Sequence, residues 1–432
     1  MKLASYMVGA VVGTALLSAQ AKVWAVTPQV DRFALADGIR VVSLYMPDSN
    51  HVSIFAYLPM GLAWEGPGQG QWSHLIEHLT IRSTVPGHSA QANAETLPDH
   101  MRLDFYGTTE NWRQGLEHLA RWLGDVTFRE ETLEAEKPKV MAEADFVAKN
   151  FATHKFAVSA WAQGYRHGRT EVPFKSDVNK ATLKDIQQYR DRHLVVLDKI
   201  VVAVVGGVDA RTIKPVIAER LGTIQSDAKT AQVVKPHSGH RKMTWDLNAR
   251  HLLLTWPIPA VTDEHYPALM VAGHWLTMKF FSDAELKKLT GMVLAGADLT
   301  APEGNLFYVS ASLKPDASFD HVTRRAEHHL QSLSSDRPAL AEVMMIGQQL
   351  SYQLTTLPDP AIYKAQAPNV SQAMIEGNIG LQWAMHDFRY GEHRARLAKE
   401  LAAMTAEKVH QAAAKYLAKE NRSVCSIEPK AR

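Results

Sequence analysis

The pattern of apolar and polar positions predicts strands at both ends of the first half of this chain. Apolar residues alternate with polar ones over 32–44, around an Asp37-Gly38 turn, and residues 52–58 form a second apolar run, so we expect two antiparallel strands. Residues 199–205 are nearly all apolar, which predicts a strand buried on both faces. This strand ends at Gly206-Gly207, which lacks the G-x-G-x-x-G spacing of a nucleotide-binding loop and is therefore interpreted as a packing turn.

Helices are predicted between these strands. One amphipathic helix has a buried stripe formed by Trp112, Leu116, Leu119 and Leu123. Further helical patterns cover 130–150, 181–193 and 210–221. Pro138 predicts an interruption or a start of the first of these, because a proline inside a helix costs about 3 kcal/mol.

The second half repeats this order of elements in outline. A polar and basic stretch at 226–244 is the best candidate for a linker between the halves. Beyond it, strands are predicted at 251–256 and 306–313, and helices at 267–281, 319–333, 339–354 and 392–417. The sequence therefore predicts an α+β fold of two similar α/β-sandwich domains, 26–230 and 245–432, with mostly antiparallel sheets packed by helices.

Length and composition are typical of a globular protein with more than one core. The chain has 432 residues, of which 46% are hydrophobic and 21% are charged. Its net charge of +2 gives no reason to expect binding to nucleic acid or to an anionic membrane. The single cysteine, Cys425, excludes an internal disulfide and a cysteine-based zinc site.

The N-terminus has the pattern of a secretory signal peptide. Lys2 precedes an apolar run at 8–17, and Ala19-Gln20-Ala21 and Val23-Trp24-Ala25 are both plausible cleavage sites. We therefore expect a signal peptide at 1–25 and a periplasmic or secreted protein, with an uncleaved N-terminal anchor as the alternative. No later segment has an apolar run long enough for a membrane span.

The stretch with the clearest chemistry is His74-Leu75-Ile76-Glu77-His78, which follows a Gly/Pro-rich loop suited to the start of a helix. Residues four apart lie on one face of a helix, so His74 and His78 can point at one ion, with Glu77 close by. Two neutral imidazoles suit zinc, and a carboxylate beside the ion can take a proton from water. This H-x-x-E-H order is typical of inverzincin peptidases. A histidine pair on a solvated helix face is the alternative.

A peptidase zinc site needs a third protein ligand. Glu136 and Glu143 lie seven residues apart, two helical turns, and therefore on one helix face. Spacing alone does not select them over Glu130, Glu131 or Glu134, and an acidic solvated helix face would give the same pattern.

These motifs resemble the pitrilysin/insulinase family, peptidase family M16, in which H-x-x-E-H is followed by a helix of the form E-x-x-x-V-x-x-E. Glu136, Val140 and Glu143 match that helix. The resemblance implies that His74, His78 and Glu143 bind zinc, that Glu77 is the catalytic base and that Glu136 is a supporting carboxylate of the catalytic site. Within a stretch that otherwise looks irregular, from 85 to about 98, Asn93-Ala94 resembles the family segment that lies along the substrate as an edge strand.

The resemblance also concerns partners. Family members of this length form half of a clam-shell chamber, and many have an arginine and a tyrosine in the second domain that contact substrate. The matching stretch here, 282–294, contains neither, although Lys287 or Lys288 could replace the charge. We therefore expect a zinc metallopeptidase that cleaves peptides or unfolded polypeptides with a second M16-like subunit, as a heterodimer or else a homodimer. The alternatives are an inactive assembly or binding subunit and a zinc-binding chaperone.

Overall fold

Two β-sheets flanked by helices make up the computed structural model, which describes residues 28–84, 92–124, 126–150, 174–230, 239–301, 304–358, 360–366 and 368–430. The strands of the first sheet are β1 (Gln29–Ala34), β2 (Arg40–Tyr45), β3 (His51–Leu58), β4 (Ala92–Thr96), β5 (Met101–Thr108) and β6 (Val201–Gly206). Those of the second sheet are β7 (Gly239–Trp245), β8 (Arg250–Ile258), β9 (Thr290–Ala301), β10 (Gly304–Leu313) and β11 (Ser423–Pro429).

Fourteen α-helices lie within the described ranges. Those that precede the second sheet in the chain are α1 (Trp72–Thr84), α2 (Trp112–Leu123), α3 (Glu130–Asn150), α4 (Phe174–Lys180), α5 (Leu183–His193) and α6 (Ala210–Leu221). The later ones are α7 (Tyr266–Ser282), α8 (Ala284–Leu289), α9 (Phe319–Ser335), α10 (Leu340–Thr355), α11 (Pro360–Gln366), α12 (Gln372–Tyr390), α13 (Arg394–Ala402) and α14 (Ala406–Tyr416). None of these helices is long and apolar enough to cross a membrane.

The two sheets have the same topology. The first has the strand order β1-β2-β6-β3-β5-β4 and the second β7-β11-β8-β10-β9. In each, one parallel pair, β2 with β6 or β7 with β11, is followed by antiparallel pairs out to the last strand. This repeat confirms the predicted fold class of two similar α/β units with mostly antiparallel sheets. The first sheet has one additional edge strand, β1.

The glycine pair at the end of β6 is a packing turn, as the sequence indicated. Gly206 has a φ of 130°, and a Cβ atom on it would lie 1.9 Å from the carbonyl oxygen of His51. No other residue type fits there without moving β3, so the turn serves sheet packing.

Each face of the first sheet has a different cover. On one face, residues such as Ile54 pack against α1 and α2 in the larger core of the first half. On the other face, Phe55 and Tyr57 pack against Ile379 and Trp383 of α12, which comes from the second half of the chain. Burying large apolar side chains of this kind contributes about 1.5–3 kcal/mol each, so α12 is an integral part of the first sheet's packing. The domain boundaries inferred from sequence remain predictions.

A third apolar cluster joins the halves behind α1 and α3. Trp64, in a short 3-10 turn before α1, packs with Trp245 and Leu253 of the second sheet. Met141 and Ala144 of α3 also pack against this cluster. The second sheet therefore packs against the turn before α1 and against α3 itself.

Several expectations were wrong in detail. Helix α3 continues through Pro138, because Leu133 and Val140 on either side of it are fully buried in the first core. The predicted helix 392–417 is divided into α13 and α14, because the Thr405 side chain accepts the N–H of Lys408 and caps a new helix. Part of the stretch expected to be irregular forms β4. Helix α12 had no predicted counterpart. Residues 1–25, 85–91 and 231–238, which include the predicted signal peptide, lie outside the described residues.

Candidate metal centre

Two buried carboxylates hold the N-terminus of α1. Glu65 accepts the backbone N–H groups of Gln71 and Ser73 at 2.8 and 2.9 Å, and Asp177 of α4 accepts the N–H of Gly70 at 3.0 Å. These N–H groups have no partner within the helix, so the carboxyl oxygens satisfy them. Burial raises the pKa of Glu65 to about 8, against the lowering effect of the two N–H groups.

The candidate metal ligands converge on one point. His74 Nε2 lies 3.7 Å and His78 Nε2 lies 3.8 Å from the same carboxylate oxygen of Glu143. The two imidazole rings are nearly perpendicular, at 79°, with centroids 4.9 Å apart. One ligand atom from each residue lies within 4.8 Å of the others. Atoms that share a tetrahedral ion at about 2.0–2.1 Å lie about 3.3 Å apart, somewhat closer than these three.

Each histidine is oriented through its other ring nitrogen. His74 Nδ1 donates to the side-chain oxygen of Gln71 at 3.0 Å, and His78 Nδ1 donates to Glu136 at 2.9 Å. With each Nδ1 engaged in this way, both Nε2 atoms face Glu143, which is the arrangement that supporting groups give to metal-binding histidines. Gln71 has a φ of 68°, an uncommon conformation for a residue other than glycine. Such strain is retained where surrounding contacts require it.

The two glutamates of α3 that face the histidines both have lowered pKa values. Burial raises the pKa of Glu136, but hydrogen bonds from Lys139 and His78 outweigh it and the pKa is lowered. The imidazoles hold the pKa of Glu143 well below its usual range. Burial lowers the pKa of His78, but Glu143, Glu77 and Glu136 outweigh it and raise the value. The site is therefore an anionic pocket suited to a cation.

The predicted base is connected to the edge of the first sheet. Glu77 accepts a 2.7 Å hydrogen bond from the hydroxyl of Thr96, the last residue of β4. β4 pairs with β5 and is an edge strand of its sheet, at the place where the resemblance put Asn93-Ala94. The Asn93 side chain is exposed, whereas Ala94 is buried, so the two face opposite sides of the strand.

The structure thus brings together His74, His78, Glu77, Glu136 and Glu143. The alternative acidic residues Glu130, Glu131 and Glu134 are exposed and take no part in this cluster. Sequence reasoning missed the residues that position the site, namely Glu65, Gln71, Thr96 and Asp177. The first N–H groups of any helix lack partners within the helix, so an acidic residue shortly before α1, such as Glu65, could have been expected to accept them. No signal in the sequence indicates the role of Thr96.

The stretch 282–294 has a structural role in the second half. The Asp283 side chain accepts the N–H groups of Glu285 and Leu286 and so caps α8. Lys287 and Lys288 are both exposed.

Comparison with known proteins shows that this fold is similar to that of M16-type peptidases. A family model described as the peptidase M16 inactive domain matches residues 180–347, a span that begins after Glu143 and includes none of the candidate ligands. No curated protein matches the chain. A protease from Helicobacter pylori has a similar structure, with a TM-score of 0.70 and 16% identity over 93% of this chain and 100% of that one.

Two further structures are similar over nearly the whole chain. A chain of complex III2 from Candida albicans has a TM-score of 0.68 and 13% identity, with 92% of this chain and 96% of that one covered. The periplasmic protease PqqL from Escherichia coli has a TM-score of 0.60 and 14% identity, with 94% of this chain but 48% of that one covered. At these identities the comparisons establish a shared fold.

Proposed function

This chain has the M16 peptidase fold and matches a domain model of that family, as the motif resemblance predicted, and on that premise we propose that it is a zinc metallopeptidase. Its substrates would be peptides or unfolded polypeptides. The observation that carries the proposal is the convergence of His74 Nε2, His78 Nε2 and Glu143 within 4.8 Å, with both Nδ1 atoms already engaged. A solvated helix face would have no reason to orient its histidines in this way.

The residues of the site fit zinc in donor type and number. His74, His78 and Glu143 would hold the ion, which supplies a Lewis acid that lowers the pKa of water and polarises the scissile carbonyl. Glu77, oriented by Thr96, accepts the proton of the attacking water and then passes it to the leaving amine. Extended peptides would pair with β4, because an edge strand offers unpaired backbone groups to a segment in β-conformation.

We further propose that the chain works in a pair with a second M16-like subunit. The stretch 282–294 has neither the arginine nor the tyrosine expected to contact substrate, so a similar chain would supply them. The chain corresponds to about half of the Escherichia coli periplasmic protease, which is consistent with two such units in one chamber. The predicted signal peptide makes the periplasm or the exterior the proposed location.

The second candidate function is an inactive assembly subunit. It is favoured by the description of the matched domain as inactive and by the structural similarity to a chain of complex III2. It predicts a folded protein that pairs with another subunit but does not cleave peptides.

Hydrolysis of a quenched fluorescent peptide library, with metal content measured on the same samples, separates the two. Wild type, Glu77→Gln and the exposed control Glu134→Gln are compared, each alone and mixed with a second M16-like chain that contains the arginine and the tyrosine. We expect Glu77→Gln to keep its zinc and to lose about 10²–10⁴-fold in turnover, the usual contribution of general acid–base catalysis. Zinc binding without turnover in every mixture would favour the assembly subunit.

A further inference from the structure

Helix α12 is attached to the first sheet at both of its edges. At one edge, Arg32 of β1 donates to Asp387 at 2.9 and 3.1 Å. At the opposite edge, Arg389 donates to Asp99 at 2.8 Å, in the turn between β4 and β5. The second half of the chain therefore contacts the turn next to the strand that orients Glu77.

The turn at Asp99 is held from two sides. Asp99 is 3% exposed, and besides Arg389 it accepts a 2.9 Å hydrogen bond from its neighbour His100. On the other side, the N–H groups of Leu62 and Ala63 donate to the carbonyls of Leu97 and Pro98. The approach is close, since a Cβ atom on Gly61 would lie 2.5 Å from each of those carbonyl oxygens. Buried charge pairs of this kind fix position, because moving either partner leaves an unpaired charge.

Thr96 stands directly before this turn. Its hydroxyl is 2.7 Å from Glu77, and its backbone is paired with Met101 across the hairpin. A shift of the turn therefore moves Thr96 and the end of β4 together.

We propose that Arg389 is a positioning residue, through which α12 sets the place of the β4–β5 turn and so of Thr96 and Glu77. The inference rests on the proposed peptidase function only for its effect on turnover. The effect on β4 itself does not depend on any activity.

The chain offers a matched pair of variants. Arg389→Gln and Arg32→Gln each remove one arginine between α12 and the first sheet, but at opposite edges. In both variants the remaining aspartate keeps another partner, His100 for Asp99 and Arg394 for Asp387. A loss of docking in general would raise exchange along the whole of α12 and not only at one edge of the sheet.

The first measurement is amide hydrogen exchange on the metal-free protein. We expect Arg389→Gln to raise exchange in segment 92–100 at least tenfold and Arg32→Gln to leave that segment as in wild type. Equal exchange in the two variants, or no change in Arg389→Gln, would overturn the inference even if the protein proves not to be a peptidase.

The second measurement is peptide hydrolysis by the zinc-loaded protein with its partner. We expect Arg389→Gln to lower kcat about 10–100-fold, the effect of a displacement of about 1 Å at a catalytic group, with wild-type zinc content. Arg389→Lys should recover part of this loss, because its ammonium can still pair with Asp99. Combining Arg389→Gln with Thr96→Val should add little to the stronger single effect. If the losses in kcat from Arg389→Gln and Thr96→Val multiplied in the double variant, or if Arg389→Gln lost its zinc, Arg389 would not act through Thr96 as proposed.

Discussion

The two halves of the chain place different chemistry between corresponding pairs of helices in the same fold. In the first half, His74 and His78 of α1 face Glu143 of α3. In the second half, α7 and α10 occupy the corresponding places, and Trp275 and Lys279, also four residues apart, face Glu342. Trp275 Nε1 and Lys279 Nζ each donate to that carboxylate at 2.7 Å.

The difference lies in the source of the positive charge. The first half presents two imidazole nitrogens to a carboxylate, a donor set that suits a cation from solution. In the second half the ammonium of Lys279, 4.9 Å from the Trp275 ring centroid, is that cation. Among the described residues, His74, His78 and Glu143 form the one cluster able to hold a metal ion. The helix pair therefore carries the candidate metal ligands in one unit and an internal ion pair in the other.

The sharpest test of this comparison replaces the two facing glutamates in turn. Glu143→Gln should abolish tight zinc binding, and added zinc should no longer raise the melting temperature of the metal-free protein. Glu342→Gln should keep the zinc response of wild type and lose about 1 kcal/mol of stability through its broken ion pair. Scanning calorimetry at increasing zinc concentration measures the zinc response and the stability of each variant. Loss of the zinc response in Glu342→Gln would contradict the view that only the first half binds the ion.

A smaller effect is expected from the carboxylate behind His78. Glu136→Gln removes the charged acceptor of the His78 Nδ1 proton and should weaken zinc binding about 10–100-fold. Glu134→Gln, on the same helix but exposed, is the control. Competition with a fluorescent zinc chelator gives the affinities. Equal affinities in the two variants would show that Glu136 only packs.

The smallest effect concerns acid stability of the second half. Burial raises the pKa of Asp283, but hydrogen bonds from Leu286, His329 and Arg325 outweigh it and hold the pKa at about 2. Because this lies below the unfolded value of about 3.9, charged Asp283 stabilises the fold above about pH 4, and the stability is lost as the pH falls towards 2. In wild type the urea concentration at the unfolding midpoint should fall between about pH 4 and pH 2, and in Asp283→Asn this fall should be smaller. Asp316→Asn, at an exposed position, should retain the wild-type slope.

Much of the architecture could be predicted because it depends on local periodicity. The strands around residues 52–58 and 199–205, the amphipathic helix at Trp112 and the duplicated order of elements all follow from patterns within one element or its neighbours. Predictions failed where contacts between residues distant in sequence decide whether a helix continues or which sheet it packs against. Helix α3 continues through Pro138 because the first core buries both of its flanks, and α12 belongs to a sheet whose strands lie more than 160 residues earlier.

For the candidate site, sequence alone determined His74, Glu77 and His78, because helical spacing places them on one face whatever surrounds the helix. Spacing alone could not select Glu143 from five acidic candidates on one helix; the family resemblance indicated it, and the packing of α3 against α1 decides which carboxylate reaches the imidazoles. Only the tertiary structure revealed the roles of Gln71, Thr96 and Arg389. A side chain that orients another through one hydrogen bond leaves no periodic pattern, and its role exists only once the chain has folded.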